Sequence, residues 1–390
     1  MWATRAGADY GWSLLGLVLL ANLLKLPFFL YGQRYTAATG ESLLEGYRRQ
    51  GMLFIWIFLA INVLTGMINV AGVAMLSAAL FSGYEVTGLS VHQVTVGFLM
   101  GCALILIFGR YSLLDAIAKG IIILLALGTA VAVALAAVHA SPPPADFVPS
   151  APALWSWAAL PFLVMLLGWM PAPIDVSAWS SLWMFSRRDQ TGHFASVHES
   201  SIDFYLGYLS ATVLAALFLG LGAMVMYGSG AHFSSGGIAF SQQLVSLYTE
   251  TIGSWSRLLI LTAAFVTMFS TTLTAMDGYA RALAASTSIV FGLERKLFRP
   301  LHLCWIVLSV VVGSLIVLFF VGDLLQLLTF AAIVSFLTSP VLATINYRVM
   351  RGPNVPTEHR PGLLLTALSW TGLLFLSCMS LVYLYVTFLA

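Results

Sequence analysis

Charged residues are scarce in this sequence. Of its 390 residues only 8% are Asp, Glu, Lys or Arg, whereas 60% are hydrophobic, and the mean hydropathy is +0.95. A soluble globular protein needs a larger polar fraction to cover its surface. The composition therefore excludes a sizeable soluble domain and indicates an all-α polytopic membrane protein.

Residues that commonly carry chemistry are also few. The three cysteines lie singly in apolar runs, so they predict neither a disulfide framework nor a cysteine metal site. No histidine pair has HxxxH or HExxH spacing, and no P-loop or GxSxG motif occurs in a suitable context. The net charge of +2 is spread over many loops, which argues against a nucleic-acid partner. We therefore expect no enzymatic activity and no bound cofactor. From the composition we expect membrane lipid as the partner around the protein.

Ten apolar segments are bounded by charged residues, glycine and proline. A membrane-spanning helix needs about 20 apolar residues, so these segments leave no room for a second domain. We expect one transmembrane domain over residues 1–390, and a monomer. The predicted segments are 11–31, 52–82, 91–109, 111–139, 154–186, 203–229, 255–286, 302–321, 323–348 and 363–389.

Basic residues fall in every second loop between these segments. The positive-inside rule places such loops on the cytoplasmic side, so the alternation supports the order of the segments and a multi-pass protein of the inner (plasma) membrane. The basic loops contain Arg34, Arg48 and Arg49; Arg110; Arg187 and Arg188; Arg295, Lys296 and Arg299; and Arg348, Arg351 and Arg360.

The segment lengths repeat in the two halves of the chain. Segments 52–82, 91–109 and 111–139 run long, short, long, and so do segments 255–286, 302–321 and 323–348, but the two triplets start on opposite sides of the membrane. This pattern predicts an inverted repeat, as in many secondary transporters. The first repeat would cover 11–139 without its first helix, which we expect before Met1, the second would cover 154–348, and 363–389 would be an extra helix. Ten of eleven expected helices are then present.

Segment 154–186 contains the strongest candidate site. Its apolar run is interrupted by residues 168–173 (GWMPAP), and two prolines two residues apart cannot continue an α-helix. Carbonyl groups freed by such a break, together with the ends of the two half-helices, can bind a cation. An acid inside a membrane span, here Asp175, indicates function. The predicted substrate-binding residues are Leu167, Gly168, Met170, Pro171, Ala172 and Asp175.

We expect gating or structural roles for the other polar residues within the segments. Lys25 must find a partner or water; it can snorkel or pair with Asp175 or Asp277. The hydroxyl stripe that includes Thr271 is typical of residues that hold helices together. Asp277 and Arg281 are spaced to form an ion pair, at an inner gate or in a structural role. Asn62 and Asn69 form a similar stripe in segment 52–82.

Several stretches of the sequence resemble the NRAMP family of divalent-metal transporters. The resemblance spans nearly the whole chain, although only the N-terminal block and Met-Pro are specific. It implies the LeuT-like inverted-repeat fold and inward cation transport, with the metal held between two broken helices. The matching stretches are residues 6–11 (AGADYG), 20–23 (LANL), 34–35 (RY), 38–46 (ATGESLLEG), 170–171 (MP), 203–204 (DF), 207–209 (GYL) and 270–272 (STT).

The resemblance also shows departures from the family pattern. The family's first helix, with its Asp-Pro-Gly-Asn metal ligands, would lie before Met1. Ala172 replaces the histidine that usually follows Met-Pro, and Gly66 and Asn69 stand where proton-path acids are expected, which argues against proton coupling. The implied metal ligands that remain are the Met170 thioether and the Leu167 backbone carbonyl.

The sequence thus predicts a secondary transporter of divalent cations. A thioether ligand favours Mn or Fe over Mg, although Mg stays open. The alternatives are a transporter of a small organic solute, such as an amino acid, on the same fold, and a membrane relative that transports nothing.

Overall fold

The computed structural model describes residues 1–85, 88–108, 112–139, 144, 147–149, 151–229, 233–234, 237–320 and 324–389. The described part is helical and contains no strand. Predicted features at 109–111, such as Arg110, and at 321–323 lie outside the described residues. The helices are α1 (Trp2–Tyr10), α2 (Leu15–Thr39), α3 (Leu43–Gln50), α4 (Met52–Ser82), α5 (Val91–Phe108), α6 (Ser112–His139), α7 (Leu160–Gly168), α8 (Val176–Thr191), α9 (Val197–Val225), α10 (Gly237–Ile252), α11 (Arg257–Val290), α12 (Phe298–Leu315), α13 (Leu324–Met350) and α14 (Leu363–Phe388).

Eight helical stretches among the described residues are long and apolar enough to cross a membrane. They comprise Trp2–Thr39, which joins α1 and α2, and the stretches that contain α4, α5, α9, α11, α12, α13 and α14. Together with the composition, they make the chain a multi-pass membrane protein. The predicted segment 52–82 agrees with α4 at both ends.

The first helix, α1, was not predicted from the sequence. Its residues are mixed in polarity, but its small residues let it lie very close to α9. A Cβ on Gly7 would be 1.9 Å from the Leu219 carbonyl oxygen, and a Cβ on Gly222 would be 2.1 Å from the Thr4 oxygen. Backbones pack this closely in membranes where small residues face each other. Packing, rather than apolar length, therefore positions α1.

The predicted segment 203–229 begins too late. Helix α9 starts at Val197, where the Ser196 side chain accepts a hydrogen bond from the Glu199 backbone and Glu199 bonds back, which is a capping box. Hydropathy alone missed this first polar turn. For the same reason α8 extends beyond the predicted segment to Thr191, and α12 begins earlier, at Phe298.

Two further helices were missed because they are too short to span a membrane. Helix α3 lies in the connection between α2 and α4, and its N-terminus is capped by Ser42, which accepts a hydrogen bond from Glu45. Helix α10 lies before α11 and buries Phe240 and Tyr248. Both are part of connections that hydropathy marks only as loops.

Helices α11 and α13 both pack against α4, and the end of α2 meets the loop after α13 at one end of the bundle. There Arg34 donates a hydrogen bond to the His359 carbonyl at 2.9 Å, and Asn354 donates one to the Tyr35 hydroxyl at 2.7 Å. Two of the loops predicted to be cytoplasmic from their basic residues thus lie together. The pairing of the two halves as an inverted repeat stays a prediction.

Candidate functional site

The helix break predicted from the prolines is present. Helix α7 ends at Gly168, α8 begins at Val176, and Asp175 is the residue before the first turn of α8. Gly168 is required where α7 ends, because a Cβ there would be 1.9 Å from the Ala332 carbonyl oxygen of α13. The close contact with α13 fixes the position of the α7 end within the bundle.

Lys25 of α2 binds the carbonyl groups at this break. Its Nζ is 2.5 Å from the Leu167 oxygen and 3.3 Å from the Gly168 oxygen, and only 1% of the residue is exposed. The expectation that the break leaves carbonyls free was therefore wrong for these two residues, because a buried ammonium has to be hydrogen-bonded. Lys25 neither snorkels nor forms a direct ion pair with Asp175 or Asp277.

Asp175 is the buried acid of the site. The residue is 3% exposed, and its Oδ1 has no hydrogen-bond partner. The hydroxyl groups of Thr65 and Tyr279 lie beside the carboxyl group, and Lys25 is close enough to interact with it electrostatically. A buried carboxylate oxygen without a donor is costly, so this oxygen is available to a cation.

Met170 is buried within the break. It is 5% exposed, and its backbone N–H donates to the Leu167 oxygen at 3.4 Å. Its neighbours Pro171 and Ala172 are partly exposed. Met170 lies three residues after Leu167 and five before Asp175, and its role as a metal ligand stays a prediction.

A polar network below the break was not predicted. The Tyr47 hydroxyl donates a hydrogen bond to Asn346 Oδ1, and the Asn346 amide donates to the Ser177 hydroxyl and to the Phe28 carbonyl, both at 2.9 Å. All these groups are buried. Asn346 inside a predicted span was the signal that could have indicated this network.

Asn62 and Asn69 lie on the same face of α4 but have different hydrogen-bond partners. The Asn69 amide donates to the Tyr279 hydroxyl at 2.5 Å, which links it to Asp175, whereas the Asn62 amide donates to Phe58 of its own helix at 3.0 Å. The Oδ1 atoms of both residues are buried and unpartnered. Asn69 therefore belongs to the site, and Asn62 lies on the same helix face.

Asp277 and Arg281 form the expected ion pair, at 2.9 Å. Trp183 donates to Asp277 at 2.9 Å, Arg281 donates to Ser186 at 3.1 Å, and His302 Nε2 lies 3.2 Å from Asp277. The cluster joins α8, α11 and α12. Its contacts link the later part of α8 to α11 and α12.

The hydroxyl stripe of α11 was only partly interpreted correctly. Thr271 is exposed and bonds to the Thr267 carbonyl of its own helix at 2.7 Å, so it does not join helices. Its neighbour Thr272, which is buried, bonds to Ser77 of α4 at 3.0 Å. Of these two adjacent residues, only Thr272 has a hydroxyl that joins α11 to another helix.

A cavity of about 940 Å³ lies between α8, α9 and α11. Its lining includes Arg187, Gln190 and His193 near the end of α8, together with Trp183 and Asp277. Aromatic contacts continue inward: Trp183 lies 5.9 Å from Trp179, and Trp179 lies 4.6 Å from Tyr279, measured between ring centroids. Tyr279 in turn contacts Asp175.

The donor set at the break suits a cation rather than a catalytic reaction. It consists of backbone carbonyls, one buried thioether and one buried carboxylate. Among the described residues no three His, Cys, Asp or Glu side chains are grouped to hold a metal. Any metal bound here would therefore depend on the backbone carbonyls, the Met170 thioether and the Asp175 carboxylate.

Sequence comparisons with known proteins match one protein family over nearly the whole chain. The sequence profile described as natural resistance-associated macrophage protein-like, Nramp, matches residues 2–386. A protein of Pasteurella multocida (strain Pm70), designated uncharacterized protein PM0681, is 39% identical over 388 residues, which are 98% of this chain and 87% of that protein.

Solved structures show the same fold. Two crystal structures of substituted forms of the manganese transporter of Eremococcus coleocola match with a TM-score of 0.70 at 15% identity, over 98% of this chain and 82% of theirs. The same transporter in complex with an aromatic bis-isothiourea compound matches with a TM-score of 0.61 at 14% identity. The all-helical LeuT-like architecture predicted from the sequence is thus confirmed.

Proposed function

This chain belongs to the Nramp family, and from that premise we propose that it is a secondary transporter of divalent metal cations that works by alternating access. The observation that carries the proposal is the break between α7 and α8, whose carbonyls already bind a buried cationic group, the Lys25 ammonium. The structural similarity to the manganese transporter of Eremococcus coleocola supports the same substrate class.

The ligands we propose for the metal are the Met170 thioether, the Leu167 carbonyl and Asp175. Sulfur is a soft ligand, so this set favours Mn²⁺ or Fe²⁺ over Mg²⁺, which prefers oxygen ligands and keeps its water. Pro171 keeps the backbone out of a helix between the two half-helices. Gly168 allows the close contact with α13, and Ala172 leaves space where a larger side chain would stand.

The cavity between α8, α9 and α11 supports release on the side of the basic loops. The Trp179–Tyr279 pair lies between the cavity and Asp175 in the chain of aromatic contacts, so its movement would open the path. The Asp277–Arg281 pair of α11 would anchor only the later part of α8, through Trp183 and Ser186. Because α4 has no acid within Met52–Ser82, we propose transport without a proton relay on this helix. We further propose that the protein is a monomer in the inner membrane and carries no cofactor.

Uptake into proteoliposomes tests the proposal. Vesicles containing the purified protein and a metal-sensitive dye should take up Mn²⁺ faster than empty vesicles. Asp175→Asn should lower the initial rate at least tenfold, because it removes the only charged ligand, while the thermal unfolding midpoint stays within a few degrees. Asp189→Asn removes an exposed carboxylate of the same helix and should leave the rate unchanged.

Two results would contradict the proposal. Vesicles that take up no Mn²⁺, Fe²⁺ or Cd²⁺ would support a protein that transports nothing. Vesicles that take up labelled amino acids instead would support the organic-solute transporter. In the described conformation the Lys25 ammonium is bonded to two carbonyls and offers no free group to a substrate carboxylate.

A further inference from the structure

The Lys25 ammonium is bonded to the carbonyl oxygens that the substrate cation would need. Its ammonium is bonded to the Leu167 carbonyl at 2.5 Å, and it reaches the Gly168 carbonyl at 3.3 Å. Leu167 itself is fully buried. The oxygen that the proposed metal site requires thus already carries a positive charge on a side chain of α2.

The same charge balances Asp175. Asp175 is the charged side chain that acts on Lys25 among the described residues, and its Oδ1 has no donor. With Lys25 at the break, one positive and one negative charge are buried together, which is far less costly than either alone. A divalent cation added to this arrangement would leave an excess of positive charge in a buried site.

We propose that the Lys25 ammonium is a tethered cation that holds the break in the absence of substrate, and that the metal binds by displacing it. This inference rests on the proposed function. Lys25 is then a specificity-determining residue. A substrate ion must interact more strongly with the carbonyl oxygens than the ammonium does, and this requirement excludes monovalent ions. Divalent ions with an additional affinity for the Met170 thioether are favoured.

The alternative is that Lys25 is a permanent structural link between α2 and the end of α7. The two roles differ in what loss of the ammonium does to metal affinity. Removing a competitor strengthens metal binding, whereas removing a structural link loosens the carbonyls and weakens it. A charge-assisted hydrogen bond of this kind corresponds to roughly tenfold or more in affinity.

Titration calorimetry of the full chain in detergent with MnCl₂ decides between them. Lys25→Met keeps the length of the side chain and removes the charge; the Kd for Mn²⁺ should fall about tenfold or more. Lys296→Met removes a lysine that is exposed and paired with Glu294, and it should leave the Kd as in the wild type. A Kd for Lys25→Met equal to or higher than that of the wild type would overturn the inference.

Chemical rescue gives a second readout. In Lys25→Ala the space of the ammonium is open, so methylammonium chloride should enter it and raise the apparent Kd for Mn²⁺, as the tethered ammonium does. Potassium chloride at the same ionic strength should not. In the wild type methylammonium should have no effect. A Lys25→Ala protein that binds Mn²⁺ equally with and without methylammonium would also contradict the inference.

The outcome for the inference can be separated from that for the proposed function. Equal Mn²⁺ affinities of wild type and Lys25→Met, in protein that transports Mn²⁺ in vesicles, overturn only the role of Lys25. Absence of Mn²⁺ binding to both proteins, together with absence of uptake, overturns the metal transporter and the inference with it. If Lys25→Ala fails to fold, the Lys25→Met titration alone decides.

Discussion

Met170 is the single soft ligand available at the break. Its thioether is buried and follows directly on the end of α7. Because thioether sulfur binds Cd²⁺ well, Mn²⁺ less strongly and Mg²⁺ poorly, Met170→Ala should weaken Cd²⁺ binding at least tenfold, weaken Mn²⁺ binding by a smaller factor and change Mg²⁺ binding little. Equilibrium binding of the three ions to the purified variant measures this.

Met165 provides a matched control for this substitution. It is equally buried, lies on α7, and its sulfur already accepts a hydrogen bond from Thr329 at 3.4 Å. Met165→Ala should lower stability by about 2–5 kcal/mol, as for a buried methionine, but leave the ratio of Cd²⁺ to Mg²⁺ affinity unchanged. Equal losses for all three ions in Met170→Ala would remove the sulfur from the site.

At the residue scale the sequence predicted which residues stand at the break but not what they contact. Two prolines next to an acid indicate a broken helix with a buried carboxylate, because each follows from local chemistry. The partner of Lys25 could not be predicted, since Leu167 is far from it in the chain and offers only a backbone oxygen. Backbone acceptors leave no signal in a sequence.

Helix α2 depends on one glycine to reach the α8 half-helix. A Cβ on Gly32 would be 2.1 Å from the Ser177 carbonyl oxygen, whereas a Cβ on Gly16 of the same helix would have no atom within 4 Å. Backbone cannot yield as a flexible side chain can, so Gly32→Ala should destabilise the protein by about 1–3 kcal/mol. Gly16→Ala should be neutral or stabilising by up to about 1 kcal/mol.

Thermal unfolding in detergent compares the two alanine variants. The midpoint of Gly32→Ala should fall by several degrees and that of Gly16→Ala should not. Because Ser177 also accepts the Asn346 amide, the Gly32 variant should lose metal binding at lower temperature as well. Equal midpoints for the two variants would mean that α2 and α8 separate easily, against the contact described here.

At the element scale hydropathy predicted the long helices and missed those that depend on packing or capping. Helix α4 agrees with its predicted bounds, because a continuous apolar run defines both of its ends. Helix α1 is held by close approach to α9, and the start of α9 by its capping box, neither of which raises hydropathy. The break between α7 and α8 was found because proline acts locally.

At the scale of the whole molecule, the side of the membrane on which the cavity opens decides whether the cavity serves uptake or release of the metal. The cavity is lined by Arg187 of the last turns of α8 and by His193 in the loop that follows, and the positive-inside rule places this basic region in the cytoplasm. Exposed Thr357 lies in another loop that the same rule places in the cytoplasm, and exposed Ser254 lies before α11, in a connection that the rule places outside. Cysteines at these two positions should therefore be separated by the membrane.

Labelling of intact cells tests this orientation. In a background with Cys102, Cys304 and Cys378 replaced by alanine, a membrane-impermeant maleimide should label Ser254→Cys in intact cells and Thr357→Cys only after permeabilisation. The opposite pattern would place the cavity on the outer face. The described conformation would then be open towards substrate uptake rather than release, and the Trp179–Tyr279 pair would be the outer barrier.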